Sequence, residues 1–379
     1  MEKIIGALEN SEFTIGIFLD FSKAFDTVNH HILLNKLSNY GIRGVANTWL
    51  ESYLTNRTQF TSYNGSNSPT SIIRCGVPQG SILGPILFLL YINDLGTISS
   101  LLSPIMFADD SNLFMTGKNL PDLTTKLNQE LPSLVEWLRS NRLSLNIGKT
   151  HTMIFGKTKN LAAPDIFIDG TRLETVTSTK FLGVILDSEL SWKPHIAHIG
   201  SKIAKSIGIL SQARKNLHRK TLIQLYHAFL YPYLSYCVLI WGNAPATTLW
   251  PIYKLQKLAL RIIMNAGHRA SSLPFCKEHS ILRLPDIYTL NAGIFMYKYN
   301  NSMLPPVFDN LFVRNNTIHR YPTRNAAQLR APRTKSRLAS SFITTTGVNV
   351  WNQIGKKLNT DTKLGTFKRS LKKSLISQY

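Results

Sequence analysis

Two carboxylates stand side by side in the middle of an apolar run, Ile105-Met106-Phe107-Ala108-Asp109-Asp110-Ser111-Asn112-Leu113-Phe114-Met115. The alternation on either side predicts two short strands joined by a tight turn, with Asp109 and Asp110 at its tip. A third carboxylate, Asp20, closes a second apolar run, Phe13 to Leu19. Adjacent carboxylates repel each other unless a cation neutralises them. Oxygen donors of this kind suit Mg²⁺, and two such ions roughly 3.5–4 Å apart clamp the attacking and leaving oxygens of a phosphoryl transfer. These residues therefore point to nucleotide chemistry, although an isolated Asp-Asp would be an ordinary solvated turn. Asp26 is the internal contrast: close to Asp20 in sequence, it reads as the cap of the helix that follows rather than as a metal ligand.

The elements that must position these groups follow from periodicity. Thr14 to Leu19 reads as a strand, and Val28 to Asn39 as a helix that stops at Gly41. Ser81 to Asn93 is apolar nearly all round, which predicts a helix buried under the sheet. Leu123 to Arg139 carries Leu127, Leu131, Leu134 and Leu138 on one face. Helices against one face of an antiparallel sheet make an α+β fold, with the other face open for substrate. Beyond Asp187 the pattern changes: Ile196, Ile199, Ile203, Ile207 and Leu210 form an apolar stripe, and helical stretches follow at about 220–240 and 249–265. A three-helix bundle is the expected result. Residues 313–340 are polar and basic with Pro322 and Pro332, which predicts a long loop or partly disordered arm. A last amphipathic helix is expected over 364–376, with Lys368, Arg369, Lys372 and Lys373 exposed.

Charge is distributed unevenly. The 379 residues carry a net charge of +22, yet residues 1–187 hold 15 Lys+Arg against 16 Asp+Glu, and residues 188–379 hold 28 against 5. A cationic half joined to a neutral one suits a polyanion, because each phosphate neutralised releases counterions. An acidic membrane surface is the weaker alternative. The apolar stretch from Tyr226 to Trp241 contains Pro232, His227 and several tyrosines, which favours buried helices over a membrane span. Cys75, Cys237 and Cys276 offer no disulfide framework, as in a reducing compartment. His195-x-x-His198 and Cys276-x-x-His279 are read as helix-face and buried residues, not zinc ligands. The N-terminus opens no apolar signal segment.

Three segments appear in a telling order: Leu19-Asp20-Phe21-Ser22-Lys23-Ala24-Phe25-Asp26, then Gly76-Val77-Pro78-Gln79-Gly80-Ser81, then Phe107-Ala108-Asp109-Asp110. They resemble motifs A, B and C of the reverse transcriptases of LINE-type, non-LTR retrotransposons, jockey-like elements in particular. Leu143 to Thr150 is similar to motif D and Phe181 to Asp187 to motif E. The resemblance implies an RNA-directed DNA polymerase: a palm over residues 1–187 with its fingers truncated, a helical thumb over 188–265 and a basic, mostly helical C-terminal region over 266–379. It implies two Mg²⁺ ions, or Mn²⁺, on Asp20, Asp109 and Asp110. Lys149 would support the leaving pyrophosphate, and Phe21, Phe25, Gln79 and Gly80 would border substrate, with Phe25 as the ring that excludes a ribose 2′-hydroxyl. Its partners would be an RNA template, a DNA primer and deoxynucleoside triphosphates, in a cytoplasmic ribonucleoprotein and the nucleus. Short of its fingers, the chain is expected to bind RNA and extend primers poorly. A catalytically silent nucleic-acid-binding remnant is the alternative, and another palm-based two-metal enzyme is a third reading, disfavoured by Phe25 and motifs D and E.

Overall fold

The computed structural model describes residues 1–157, 162–318, 326, 328–355, 358–360 and 362–379. The chain forms two compact units, one of residues 10–182 and one of residues 1–9 with 183–379.

The first unit is α+β. Its sheet is built on β1 (Phe13–Leu19), a strand buried along nearly its whole length. Eleven further strands follow in this unit: β2 (Thr58–Gln59), β3 (Ser62–Tyr63), β4 (Ser66–Asn67), β5 (Ser71–Ile72), β6 (Ser103–Phe107), β7 (Asp110–Gly117), β8 (His151–Phe155), β9 (Phe167–Ile168), β10 (Thr171–Arg172), β11 (Glu174–Thr175) and β12 (Ser178–Phe181). Four of them join β1 in one five-stranded sheet, in the order β11-β8-β1-β7-β6. All neighbours are antiparallel except β11 on β8, which is parallel, so the sheet is mixed at that edge rather than wholly antiparallel.

Leaving aside α1 (Glu2–Glu9), which belongs to the second unit, four helices pack here. They are α2 (His30–Asn39), α3 (Val45–Leu54), α4 (Leu83–Ile92) and α5 (Leu120–Ser140). Ile15, Ile17 and Leu19 of β1 meet Leu33 and Leu37 of α2, Phe88 and Tyr91 of α4, and the leucine stripe of α5 in one core. The apolar circumference of α4 hides which side packs. Leu87, Phe88, Tyr91 and Ile92 are buried, but Ile82, Ile86 and Leu89 are exposed, so α4 is not buried all round. The sheet face away from the helices is not bare either: Phe18 meets Phe114 edge-on, stacks on His151 and touches Phe181.

The second unit is mostly helical: α6 (Lys193–Ala213), α7 (Arg219–Phe229), α8 (Tyr231–Ser235), α9 (Val238–Trp241), α10 (Ala246–Met264), α11 (Leu273–Glu278), α12 (Leu284–Asn300), α13 (Arg337–Ser341), α14 (Ile343–Ile354) and α15 (Leu364–Ile376). The isoleucine stripe of α6 is buried as expected. The single helix expected over 220–240 is instead three pieces, because Pro232 cannot donate an amide inside a helix and sits in the first turn of a new one. Fully buried Gln256 ties the unit together, its amide donating to Tyr226 Oη and Leu282 O (2.9 Å each) and accepting from Leu284 N (2.9 Å). The stretch 313–340 is not one loop: Val313–Arg314 pairs with Leu329–Arg330, and α13 begins within it, while the part at 319–325 lies outside the described residues. The Glu9 carboxylate accepts from Lys335 N (2.6 Å) and Ser336 N (3.0 Å) just ahead of α13. On α15, Lys368, Arg369 and Lys373 are exposed, but Lys372 is half-buried and its ammonium is pushed down in pKa by burial and by Lys368.

Candidate active site

β6 and β7 form the expected hairpin, with Phe107 opposite Asp110. Ala108 takes a positive φ of 51° at the turn, and Asp109 and Asp110 are exposed there. β1 runs antiparallel to β7 with Leu19 opposite Ser111, which brings the following residue, Asp20, to the level of Asp110. The electrostatics agree. Burial first, then the charges of Asp109 and Asp20, hold the Asp110 carboxyl above the usual carboxylate range. Three acidic residues from two separate chain segments thus converge at one end of the sheet.

Asp20 is fixed through its backbone. Its N–H donates to Thr150 Oγ1 (3.2 Å) and its carbonyl accepts from Asn146 N (2.7 Å). Ser22 N donates to Ser144 O (2.8 Å), and Phe21 bridges Leu145. The loop from Leu143 to Thr150 is therefore stitched onto the segment that carries Asp20, and it holds Lys149 at an exposed position. The ring of Phe21 is 7% exposed and part of the core, so this residue reaches a substrate only through its backbone.

A second lacing joins Ala24–His30 to the Gly76–Gly80 loop. Val77 N donates to Phe25 O (2.8 Å), Gly76 N to Val28 O (2.7 Å), and His30 Nε2 lies 2.7 Å from Gly76 O. Gly76 has φ of +92°, and a Cβ there would lie 2.8 Å from the Asp26 carbonyl oxygen, so only glycine fits without displacement. Exposed Gln79 donates its amide to Asp26 Oδ1 (2.8 Å). Asp26 is consequently not the cap of α2. That cap is Asn29, whose Oδ1 accepts from Ile32 N (3.1 Å), three residues closer to the helix. Phe25 is half-buried and packs on Phe88 of α4, with ring centroids 4.6 Å apart. Gly80 has φ of +80° and open space around it.

Two residues escape a reading of the sequence alone. Ser111 Oγ and Asn112 Nδ2, directly after the acidic pair, are buried with no hydrogen-bond partner in this structure. Their signal is two polar residues inside an apolar strand, where each orphaned group costs about 1–3 kcal/mol. The donor set, three carboxylates beside buried polar groups, fits a hard divalent cation. Among the described residues no three His, Cys, Asp or Glu side chains are gathered closely enough to cage an ion by themselves. No described helix is long and apolar enough to cross a membrane.

Comparison with known proteins adds an independent finding. Residues 5–186 match the family model "Reverse transcriptase (RNA-dependent DNA polymerase)". The RNA-directed DNA polymerase from mobile element jockey of Drosophila melanogaster is 28% identical over 305 residues, covering 78% of this chain and 33% of the relative. That of Drosophila funebris is 30% identical over 271 residues, 69% of this chain and 29% of the relative. The probable RNA-directed DNA polymerase from transposon BS of Drosophila melanogaster is 29% identical over 70% of this chain and 30% of its own length. The chain spans about a third of the length of these relatives. Among solved structures, a telomerase from Candida albicans aligns over 82% of this chain and 51% of its own with 12% identity and a TM-score of 0.39, a likeness too slight to carry weight.

Proposed function

Residues 5–186 of this chain belong to the reverse transcriptase family, with distant homology to the jockey, X-element and BS retrotransposon polymerases over about 70% of the chain, and from that membership we propose that it adds deoxynucleotides to a primer 3′-hydroxyl opposite an RNA template. The observation that carries the proposal is the convergence of Asp20 with Asp109 and Asp110 at one end of the sheet. Mg²⁺ commonly binds through one or two carboxylates and completes its shell with substrate phosphates and water. Asp20 and Asp109 offer that number of donors, and Asp110 adds negative charge beside them. Two divalent cations, Mg²⁺ or Mn²⁺, would supply activation of the 3′-hydroxyl and neutralisation of charge on the transferred phosphate.

The remaining residues position the reactants. The Leu143–Thr150 loop fixes the backbone of Asp20 and presents Lys149, whose ammonium would stabilise departing pyrophosphate. Phe25, five residues after Asp20, packs on Phe88 of α4, and the part of its ring left open would occupy the space of a ribose 2′-hydroxyl. Gln79 and Gly80 would border the templating base, with Asp26 holding the Gln79 amide in place. The basic residues of 188–379 would hold the template and primer through their phosphates. Such an enzyme would act in a ribonucleoprotein and in the nucleus, where its RNA meets a DNA primer.

One observation favours a second reading. The net positive charge beyond residue 187 would bind nucleic acid whether or not the acidic site works, so a catalytically silent RNA-binding remnant would keep that half of the account. Addition of a single labelled deoxynucleotide to a DNA primer on an RNA template, under enzyme excess with and without Mg²⁺, separates the two. Mg²⁺-dependent addition supports the polymerase; RNA binding without addition supports the remnant.

A further inference from the structure

Between α3 and the Gly76–Gly80 loop the chain leaves the core as a β-ribbon. β2 pairs with β5 and β3 with β4, and the ribbon turns at Asn64-Gly65, both at positive φ, as a two-residue hairpin turn requires. Every residue from Asn56 to Ile72 is exposed. Phe60 is 57% exposed, Tyr63 77% and Ile72 67%. At the root, Tyr53 stacks on Trp49 with centroids 6.1 Å apart, and the Arg57 guanidinium lies 5.5 Å over the Tyr53 ring. A two-stranded ribbon that buries nothing is marginally stable in water by itself. Its exposed rings are therefore placed for a partner.

The charge of the segment says which partner. From Ser52 to Asn93 there is no carboxylate, and the only charged side chains are Arg57 and Arg74. Apart from Phe60, Tyr63, Gly65, Pro69, Ile72 and Ile73, the rest of the ribbon is Thr, Ser, Asn and Gln, whose side chains hydrogen-bond base edges and phosphates alike. Exposed rings beside arginines, in a segment without carboxylates, match a strand of unpaired nucleotides, whose bases stack on aromatic faces while guanidinium groups meet the phosphates. A duplex offers its bases only at the ends of the stack, and a protein surface gives no reason for the missing carboxylates. The ribbon also continues through Ile73, Arg74 and Cys75 into Gly76 and Gln79, so its root adjoins the loop laced to Ala24–His30.

We propose that the ribbon of residues 56–74 is a binding site for single-stranded RNA, with Phe60 and Tyr63 stacking on bases and Arg57 and Arg74 contacting phosphates. That this strand is the template approaching the site rests on the polymerase reading; RNA binding by the ribbon does not.

The test compares the full chain with a Phe60→Ser, Tyr63→Ser variant, whose exposed substitutions leave the thermal melting curve unchanged. Binding of a fluorescent unstructured RNA oligonucleotide is measured at an ionic strength that screens the basic half. An oligomer of the same length lacking bases serves as control. The expected result is RNA binding weaker by on the order of five- to a hundredfold in the variant, with equal binding of the baseless oligomer. Photocrosslinks from 4-thiouridine RNA should fall within residues 57–74 of the parent. Unchanged RNA binding with crosslinks elsewhere overturns the proposal, as does a variant that loses self-association while keeping RNA affinity, which would make the ribbon a protein interface. A parent that adds no nucleotide yet shows ribbon-dependent binding sinks the polymerase reading alone. One that adds nucleotides with no ribbon-dependent binding sinks this proposal alone.

Discussion

The Gln79 side-chain amide donates a 2.8 Å hydrogen bond to the carboxylate of Asp26, across 53 positions of sequence. Both side chains are exposed, so the bond contributes under about 1 kcal/mol to stability. Its consequence is orientation of Gln79. Asp26→Ala should therefore slow deoxynucleotide addition, while Asp26→Asn, which keeps an acceptor oxygen, retains most of it. In a Gln79→Ala background, Asp26→Ala should have no further effect. Additive losses in that double-mutant cycle would show that the two residues act independently.

Gly76 is the point where the two laced segments come closest. Its positive φ, and the 2.8 Å that would separate an added Cβ from the Asp26 carbonyl oxygen, leave no room for a side chain. Gly76→Ala should cost about 2–3 kcal/mol, from the left-handed backbone and the displacement of Asp26 together. Urea unfolding of the variant checks this, and a loss below about 0.5 kcal/mol would mean the loop relaxes freely.

Phe25 packs on Phe88 but keeps part of its ring exposed. Phe25→Val should raise ribonucleotide incorporation relative to deoxynucleotide incorporation, because volume is opened without deleting a charge. Loss of Phe88 packing adds a stability cost of about 1–2 kcal/mol. Competition between labelled ribo- and deoxynucleotides reads the preference directly. An unchanged ratio would leave Phe25 a packing residue only.

His195 lies 2% exposed in α6, edge-on to Trp241 at 5.5 Å. Burial, and then the charge of His198, pushes its pKa down to about 4. An unfolded histidine titrates near 6.5, so the unfolded chain takes up the proton first as pH falls. The stability this neutral histidine contributes is complete above pH 6.5 and is lost progressively between 6.5 and about 4. Across that window the loss is on the order of 3 kcal/mol. His195→Phe should flatten that limb, at a lower plateau because Ile185 N loses its acceptor. Unfolding free energies of parent and variant over the window should diverge in slope; parallel curves would contradict the assignment.

The acidic constellation was legible because charge interrupting an apolar run is rare, and Asp20 and Asp109-Asp110 each interrupt one. Strands β1, β6 and β7, the leucine face of α5, the isoleucine stripe of α6 and α15 were legible for the same reason in reverse, as clean periodicity. Other features were set by partners distant in sequence. Nothing local distinguishes Asp26 from Asn29 as the cap of α2, and the choice depends on Gln79 arriving from another loop. Apolar residues around the whole of α4 signal burial without saying which side packs. α12, buried against α14 and α15, carries too little polar contrast to be picked out. Pro232 signals the break at Leu230 as well as arguing against a membrane span, and only the second meaning is plain without the neighbouring helices.

The central claim, that Asp20 and Asp109 hold the catalytic cations, is tested most directly by single-nucleotide addition on an RNA template with Mg²⁺. Asp20→Asn, Asp109→Asn and Asp26→Asn are compared with the parent. Losing a cation ligand removes several kcal/mol of transition-state stabilisation, a rate loss of about a thousandfold or more. That loss is predicted for Asp20→Asn and Asp109→Asn, and most of the parent rate for Asp26→Asn. Equal loss in all three variants, or addition that survives Asp109→Asn, would contradict the claim.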